Sequence, residues 1–335
     1  MKKFLVRSAL ALSSLLLAMA LIVWWLWIPA AVEASYQFTN AWGEHGVEPG
    51  QFNDPTGIAV NDEEVFVSDS RNGRIQVFNY GGQFKRIIGS AGDGPRQLGR
   101  PMNLDIFDGA LYVADYWHDR IQVYGLDGTF IRSIGSSGSG PGQFNAPGGV
   151  ALNTRGEIYV ADYYNQRVQH FSAEGEFIRQ FGNTNTVGSG KGEFNYPTDV
   201  AVDSFDRVYV ADGYNDRVQV FDASGEFLHK WGGPFAANIF GPFNGWFATV
   251  TSLTVDLNGN VFVADFYNNR IQKFTADSHF LTSMGSKGDG DGQFNYAMSV
   301  AVAPNGIVFA TDLSNNRILT FMQSGIETAT PGVDK

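Results

Sequence analysis

Six Asp–Arg pairs are the first residues of this sequence that could do chemistry. The acids are Asp69, Asp115, Asp162, Asp212, Asp265 and Asp312, and an Arg follows each, at Arg74, Arg120, Arg167, Arg217, Arg270 and Arg317. A carboxylate beside a guanidinium is a strong, directional pair that also occurs in binding and catalytic sites. The repetition argues for a different use. What every unit carries serves what every unit shares, namely turn geometry and packing. An Asp that ends a strand can accept N–H bonds from the next loop, and the Arg can fork onto it. The pairs are therefore read as framework.

Chemistry should sit where the units differ. Between Asp and Arg lies a short loop, and it varies. It carries Arg71 in the first unit, then Tyr116, Trp117 and His118, then Tyr163 and Tyr164, then Tyr214, then Phe266 and Tyr267. The sixth has Leu313 and Ser314. Aromatics rimmed by polar groups mark surfaces that bind proteins, peptides or sugars. The competing reading is that each ring only packs on a neighbouring connector. A second variable position lies near the start of each unit's first strand, at Gly57, Asn103, Gly149, Asp199, Ser252 and Ser299. These are expected at the mouth of a central channel. Asn103 and Asp199 complete the candidate ligand-binding set. Buried carboxylates are costly unless met by water, a base or a cation. Asp105 and Asp199 are accordingly weak candidates for metal ligands. Their oxygens would suit calcium, and no other cofactor is predicted.

The elements that must position these residues repeat. Successive Asp residues fall 46 to 53 positions apart, the period of an array of like units. In the third unit, Gly149-Val150-Ala151-Leu152 is a strand, Asn153 to Gly156 a turn, and Glu157 to Asp162 a second strand. After the Tyr163 to Gln166 loop come strands at Arg167–Phe171 and Phe177–Phe181. Alternation between turn clusters is the strand signal. Four strands repeated six times give an all-β, six-bladed propeller of four-stranded antiparallel blades. The last unit lacks a convincing fourth strand, since only the weak Ile326 to Ala329 follows. Phe38 to Gly43 looks like the fourth strand of other units, such as Phe227 to Gly232. The N-terminal strand is thus expected to close the ring.

The repeated signature resembles the NHL repeat family. Pro55-Thr56-Gly57-Ile58-Ala59-Val60 and Pro197-Thr198-Asp199-Val200-Ala201-Val202 match its opening. Asn72, Asn165, Asn215, Asn268 and Asn315 match its Asn two before Arg. The second unit departs with His118, the fifth lacks the Pro and has a longer connector, and the sixth has Leu319 in place of Gln. The resemblance implies a six-bladed propeller. It does not imply one function, because the family includes sensor ectodomains, RNA-binding modules, interaction platforms and a peptidyl-hydroxyglycine lyase. That lyase holds zinc with histidines in its channel. Here His45, His118, His170, His229 and His279 fall in unlike positions of the repeat, so such a site is not expected.

Before the repeats, Ser8 to Val32 runs without a charge behind Lys2, Lys3 and Arg7, with Trp24, Trp25 and Trp27 at its far end. That length suits a transmembrane helix with the N-terminus in the cytoplasm. A cleaved signal peptide is the rival, with Val32-Glu33-Ala34 as a passable cleavage site. The domain plan is a signal anchor at 1–34, the propeller at 35–325 and a polar tail at 326–335. The location expected is a single-pass inner (cytoplasmic) membrane protein with its propeller outside the cytoplasm, periplasmic in a Gram-negative cell. The chain has no Cys, so disulfides and thiolate sites are excluded. Its net charge of −11 repels phosphate backbones and argues against nucleic acid. The function expected is a non-enzymatic scaffold or complex subunit that binds a protein, peptide or glycan. The alternative is a channel-mouth lyase or hydrolase using a divalent ion.

Overall fold

The computed structural model describes residues 12–19, 21 and 28–325. Six four-stranded antiparallel sheets form six blades, and in five of them the chain runs from innermost to outermost strand in sequence order. The inner strands are Pro55–Val60, Pro101–Phe107, Pro147–Leu152, Pro197–Val202, Val250–Val255 and Ala297–Val302. Each packs on the inner strands beside it, and the first meets the last to close the ring.

The middle strands are apolar on both faces because both faces are covered. In the third blade, Ile158 and Val160 enter a core with Ile121 and Phe144 on the side of the second blade. Tyr159 and Ala161 point the other way, into a core with Phe194 and Val208 on the side of the fourth. Side chains alternate along a strand, so one strand serves two interfaces. The molecule thus has a separate core between each pair of neighbouring blades rather than a single centre.

The sixth blade is completed from the other end of the chain. Tyr36–Trp42 pairs antiparallel with Arg317–Gln323, from Tyr36 opposite Gln323 to Trp42 opposite Ile318. Thr39 Oγ1 and Thr320 Oγ1 lie 2.7 Å apart across this seam. Closing the ring in this way leaves only short, protected strand edges.

The transmembrane helix expected over 8–32 is not found. Residues 12–19 are helical, but among the described residues no helix is long and apolar enough to cross a membrane. Much of that stretch, and the tail at 326–335, lie outside the described residues. From residue 28 the chain runs along the fifth blade. Val32 and Glu33 N–H donate to Leu281 O, at 2.9 and 3.2 Å, and the Glu33 carboxylate meets Lys273 Nζ at 2.6 Å.

Candidate functional site

The site is built on the repeated framework, and the third blade shows how. Asp162, fully buried, accepts Asn145 N–H on Oδ1 at 2.8 Å. On Oδ2 it accepts Arg167 Nε at 2.8 Å, Asn165 Nδ2 at 2.9 Å and Gln169 Nε2 at 3.1 Å. The outer end of Arg167 donates to the connector carbonyls of Ser139, Gly140 and Gln143. The Asp therefore holds the start of the blade, and the Arg staples the connector over it. Asp212 with Arg217, and Asp265 with Arg270, repeat the same pattern. Burial raises the Asp162 and Asp212 carboxyls, with the Arg and the donated N–H groups pulling them back.

A second contact locks blade to blade. The residue between Asn and Arg sits in the left-handed region and, where it has a suitable side chain, receives the next blade's opening N–H. Tyr196 N donates to Gln166 Oε1 at 2.6 Å, and Tyr296 N to Asn269 Oδ1 at 2.8 Å. Ala146 with Asp119, Thr249 with Asp216, and Asp54 with Asn316 do the same. All ten residues have positive φ, which short polar side chains tolerate better than branched ones. The first blade has Gly73 there, with no side chain to offer, and Arg100 N turns instead to Asp115 Oδ1 at 3.2 Å.

These two devices set the loops around one mouth of the central channel. A cavity of about 290 Å³ there is lined by Asn103, Tyr116, Tyr163, Tyr214, Phe266 and Tyr267, with Arg100, Met102 and Met298 among the remaining walls. Five of the sequence-selected aromatics thus share one cavity with Asn103. Trp117 and Tyr164 stand beside it. The Arg100 guanidinium lies 5.8 Å from the ring centres of both Tyr116 and Trp117. Tyr164 packs edge-on to Tyr163, 5.0 Å between centres. Trp117, Tyr214 and Tyr267 are 62%, 52% and 60% exposed, so the rim offers ring faces to solvent. Burial, together with hydroxyl contacts to Tyr164 and Tyr214 respectively, pushes the Tyr116 and Tyr163 phenols upward. Both stay neutral at physiological pH.

Three other candidates lie elsewhere. Arg71 forms an exposed ion pair with Asp54. His118 takes the framework Asn's place, its Nδ1 2.7 Å from Asp115 Oδ2. Asp199 lies deeper, lining a second cavity of about 410 Å³ with Asn103, Asp105, Ser252 and Ser299. Of the variable first-strand positions, Asp199, Ser252 and Ser299 therefore line the waist of the channel rather than its mouth, while Asn103 reaches both cavities. The waist is internally bonded. Ser252 and Ser299 hydroxyls lie 3.0 Å apart, and Asp199 Oδ2 accepts Leu253 N–H at 3.1 Å. Asp105 Oδ2 accepts Leu152 N–H at 2.8 Å. Each carboxylate thus ties its strand to a neighbouring blade. Burial lifts Asp199 to about 7 and Asp105 to about 6, against the pull of these N–H donors. Among the described residues no group of three or more His, Asp or Glu side chains is placed to hold a metal ion.

Sequence reasoning missed Tyr196, Tyr296 and Arg100. Tyr163 stacks on Tyr196, and Phe266 on Tyr296 at 4.6 Å with planes 8° apart. All three residues immediately precede a first strand, where other units have Asp54, Ala146 and Thr249. That difference between units was the available signal.

The profile of the NHL repeat matches residues 52–78, 144–171, 194–221 and 247–274. These segments are NHL repeats. They are the cores of the first, third, fourth and fifth blades. The unmatched second and sixth blades are those that carry His118 and Leu319 in the signature. Over 44 residues the chain is 52% identical to the B-box type zinc finger protein ncl-1 of Caenorhabditis elegans. Over a stretch of the same length it is 50% identical to Protein brain tumor of Drosophila melanogaster. These stretches are 13% of this chain and only 5% and 4% of those proteins. Among solved structures, a protein of unknown function from Bacteroides thetaiotaomicron superposes with a TM-score of 0.68 at 16% identity, over 87% of this chain and 76% of that one. A streptogramin B lyase gives 0.59 at 13% identity, over 86% and 98%. A catalytically inactive virginiamycin B lyase from Staphylococcus aureus with quinupristin gives 0.56 at 17%, over 88% and 87%. These likenesses carry the fold alone.

Proposed function

We propose that this NHL propeller is a non-enzymatic binding scaffold that receives a peptide segment of a protein partner at its aromatic mouth. The observation that carries this reading is the single cavity formed by Tyr116, Tyr163, Tyr214, Phe266 and Tyr267 with Asn103 on its wall. Rigid aromatic rings supply large contact area at low entropic cost, and a polar group among them fixes orientation. Two walls bring unpaired polar atoms, since Arg100 Nε and Asn103 Oδ1 are buried with no hydrogen-bond partner. A donor and an acceptor left open in this way match the backbone C=O and N–H of a peptide. A glycan is the nearest competing ligand. The N-terminal apolar stretch would hold the propeller on the outer face of the membrane, where it would serve as a subunit of a membrane complex.

The second reading is a channel lyase or hydrolase working with a divalent ion, and Asp105 and Asp199 at the waist support it. A photo-crosslinking residue at position 267, on the rim, should capture a protein partner, while the same residue at 257, on a turn between first and second strands, should not. Stoichiometric zinc in the purified protein would favour the enzyme instead.

A further inference from the structure

The connector that enters the fifth blade differs from the others, and it lies where the N-terminal segment reaches the propeller. No charged residue occurs between Lys230 and Asp256, in a chain whose net charge is −11. The added turn begins at Pro234–Ala236 and exposes Phe240 at 72% and Ile239 at 43%. It is pinned from below. Gly233 N–H donates to Gly245 O at 3.3 Å, Gly241 N–H to Phe247 O at 3.1 Å, and the buried Arg217 Nη1 to Ala236 O at 3.3 Å. The two side chains are thus held outward from a fastened loop. Asn244 Nδ2 in the same connector donates to Pro29 O at 3.1 Å. Pro29 lies near the end of the uncharged, Trp-rich run from Ser8 to Val32. The apolar N-terminal stretch and the apolar loop therefore meet at one corner of the propeller.

We propose that this corner, with Ile239 and Phe240 at its tip, lies in the interfacial layer of a phospholipid bilayer. Large apolar side chains left in water gain from burial, and aromatic rings suit the headgroup boundary. A bilayer is the occupant because the adjoining chain is apolar over a bilayer's length and no charge in the loop opposes it. The contact would add a second attachment beside the N-terminal one and restrict how the propeller tilts on the surface. This inference rests on the membrane attachment proposed above.

The absence of Cys makes a direct test available. Single variants Phe240→Cys, Ile239→Cys and, as a distant control, Leu257→Cys are labelled with a polarity-sensitive fluorophore. Leu257 is 84% exposed on a turn at the opposite end of the fifth blade's inner strand. Each full-length variant is reconstituted in phosphatidylcholine–phosphatidylglycerol vesicles, with and without acyl-brominated lipid. Labels at 240 and 239 should shift to the blue and be quenched at least about twofold more than the label at 257. Flotation with the vesicles but equal, water-like signals at all three positions overturns the loop contact while leaving the attachment intact. Failure of the chain to float overturns the attachment and the proposal together.

Discussion

Tyr163 of the third blade lies against Tyr196 of the fourth blade's connector, ring centres 4.9 Å apart and planes 29° from parallel. Tyr196 N–H is held by Gln166, three residues beyond Tyr163, at 2.6 Å. One junction thus joins a blade-to-blade lock to a wall of the mouth. Tyr196→Ala should cost about 1–2 kcal/mol in denaturant unfolding, since an aromatic pair adds about 0.5–1.5 kcal/mol beyond its buried area. Tyr267→Ala, on the rim, should stay within about 0.5 kcal/mol. Equal costs would show that the rim ring is structural too.

The Asp–Arg pairs predict a sharper contrast. Arg217 is fully buried and bonds Asp212 together with the carbonyls of Ser189, Gly190 and Glu193. Arg217→Ala strands a buried carboxylate and several carbonyls, and should cost about 3–5 kcal/mol. Arg71, whose ion pair with Asp54 is exposed, should leave stability essentially unmoved on the same change, because solvent screens such pairs. Urea midpoints at constant slope would measure both.

The waist predicts a pH dependence. Burial raises Asp199 from its ordinary range to about 7 in the folded state. Its ionised form is therefore disfavoured in the fold relative to the unfolded chain. Its contribution to stability is full below the unfolded pKa of about 3.9 and is lost as pH rises through about 7. Asp199→Asn keeps an acceptor for Leu253 N–H but cannot ionise. Relative to the parent, the variant should gain about 2–4 kcal/mol on going from pH 4 to pH 8. A difference that does not change with pH would contradict the placement of this carboxylate.

Closure can be tested by deletion. Tyr36–Trp42 supplies the outermost strand of the last blade, and Trp42 packs against Phe78 and Phe309 on the two sides of the junction with the first. Removing residues 36–42 should abolish cooperative unfolding of the whole ring, read by calorimetry. A small local loss would mean that the blades stand independently.

Much of this architecture is legible in the sequence because it is written six times. The pairing of Asp162 with Arg167, the four-strand blade and the N-terminal closing strand all follow from comparing units. The limits appear where a residue's role depends on the neighbouring blade. Asp199 reads as a residue of the mouth because its register is clear, but how deep that register lies depends on how inner strands lean across one another. Tyr196 and Arg100 do not stand out in the sequence, because a residue before a strand start reads as turn. Only the ring brings that turn beside Tyr163 and Tyr116. His118 looks like part of the variable loop, yet its imidazole replaces the framework Asn on Asp115.

The central claim is that the aromatic mouth binds a partner. The direct measurement is recovery of membrane proteins with the intact chain and with a Tyr164→Ala, Tyr214→Ala, Tyr267→Ala triple variant, normalised to folded protein by calorimetry. All three rings are about half exposed or more, so the variant should fold. The account predicts that the species recovered in stoichiometric amount with the parent falls at least about tenfold with the variant, as expected from removing clustered interface aromatics. Undiminished recovery with a folded triple variant would contradict it.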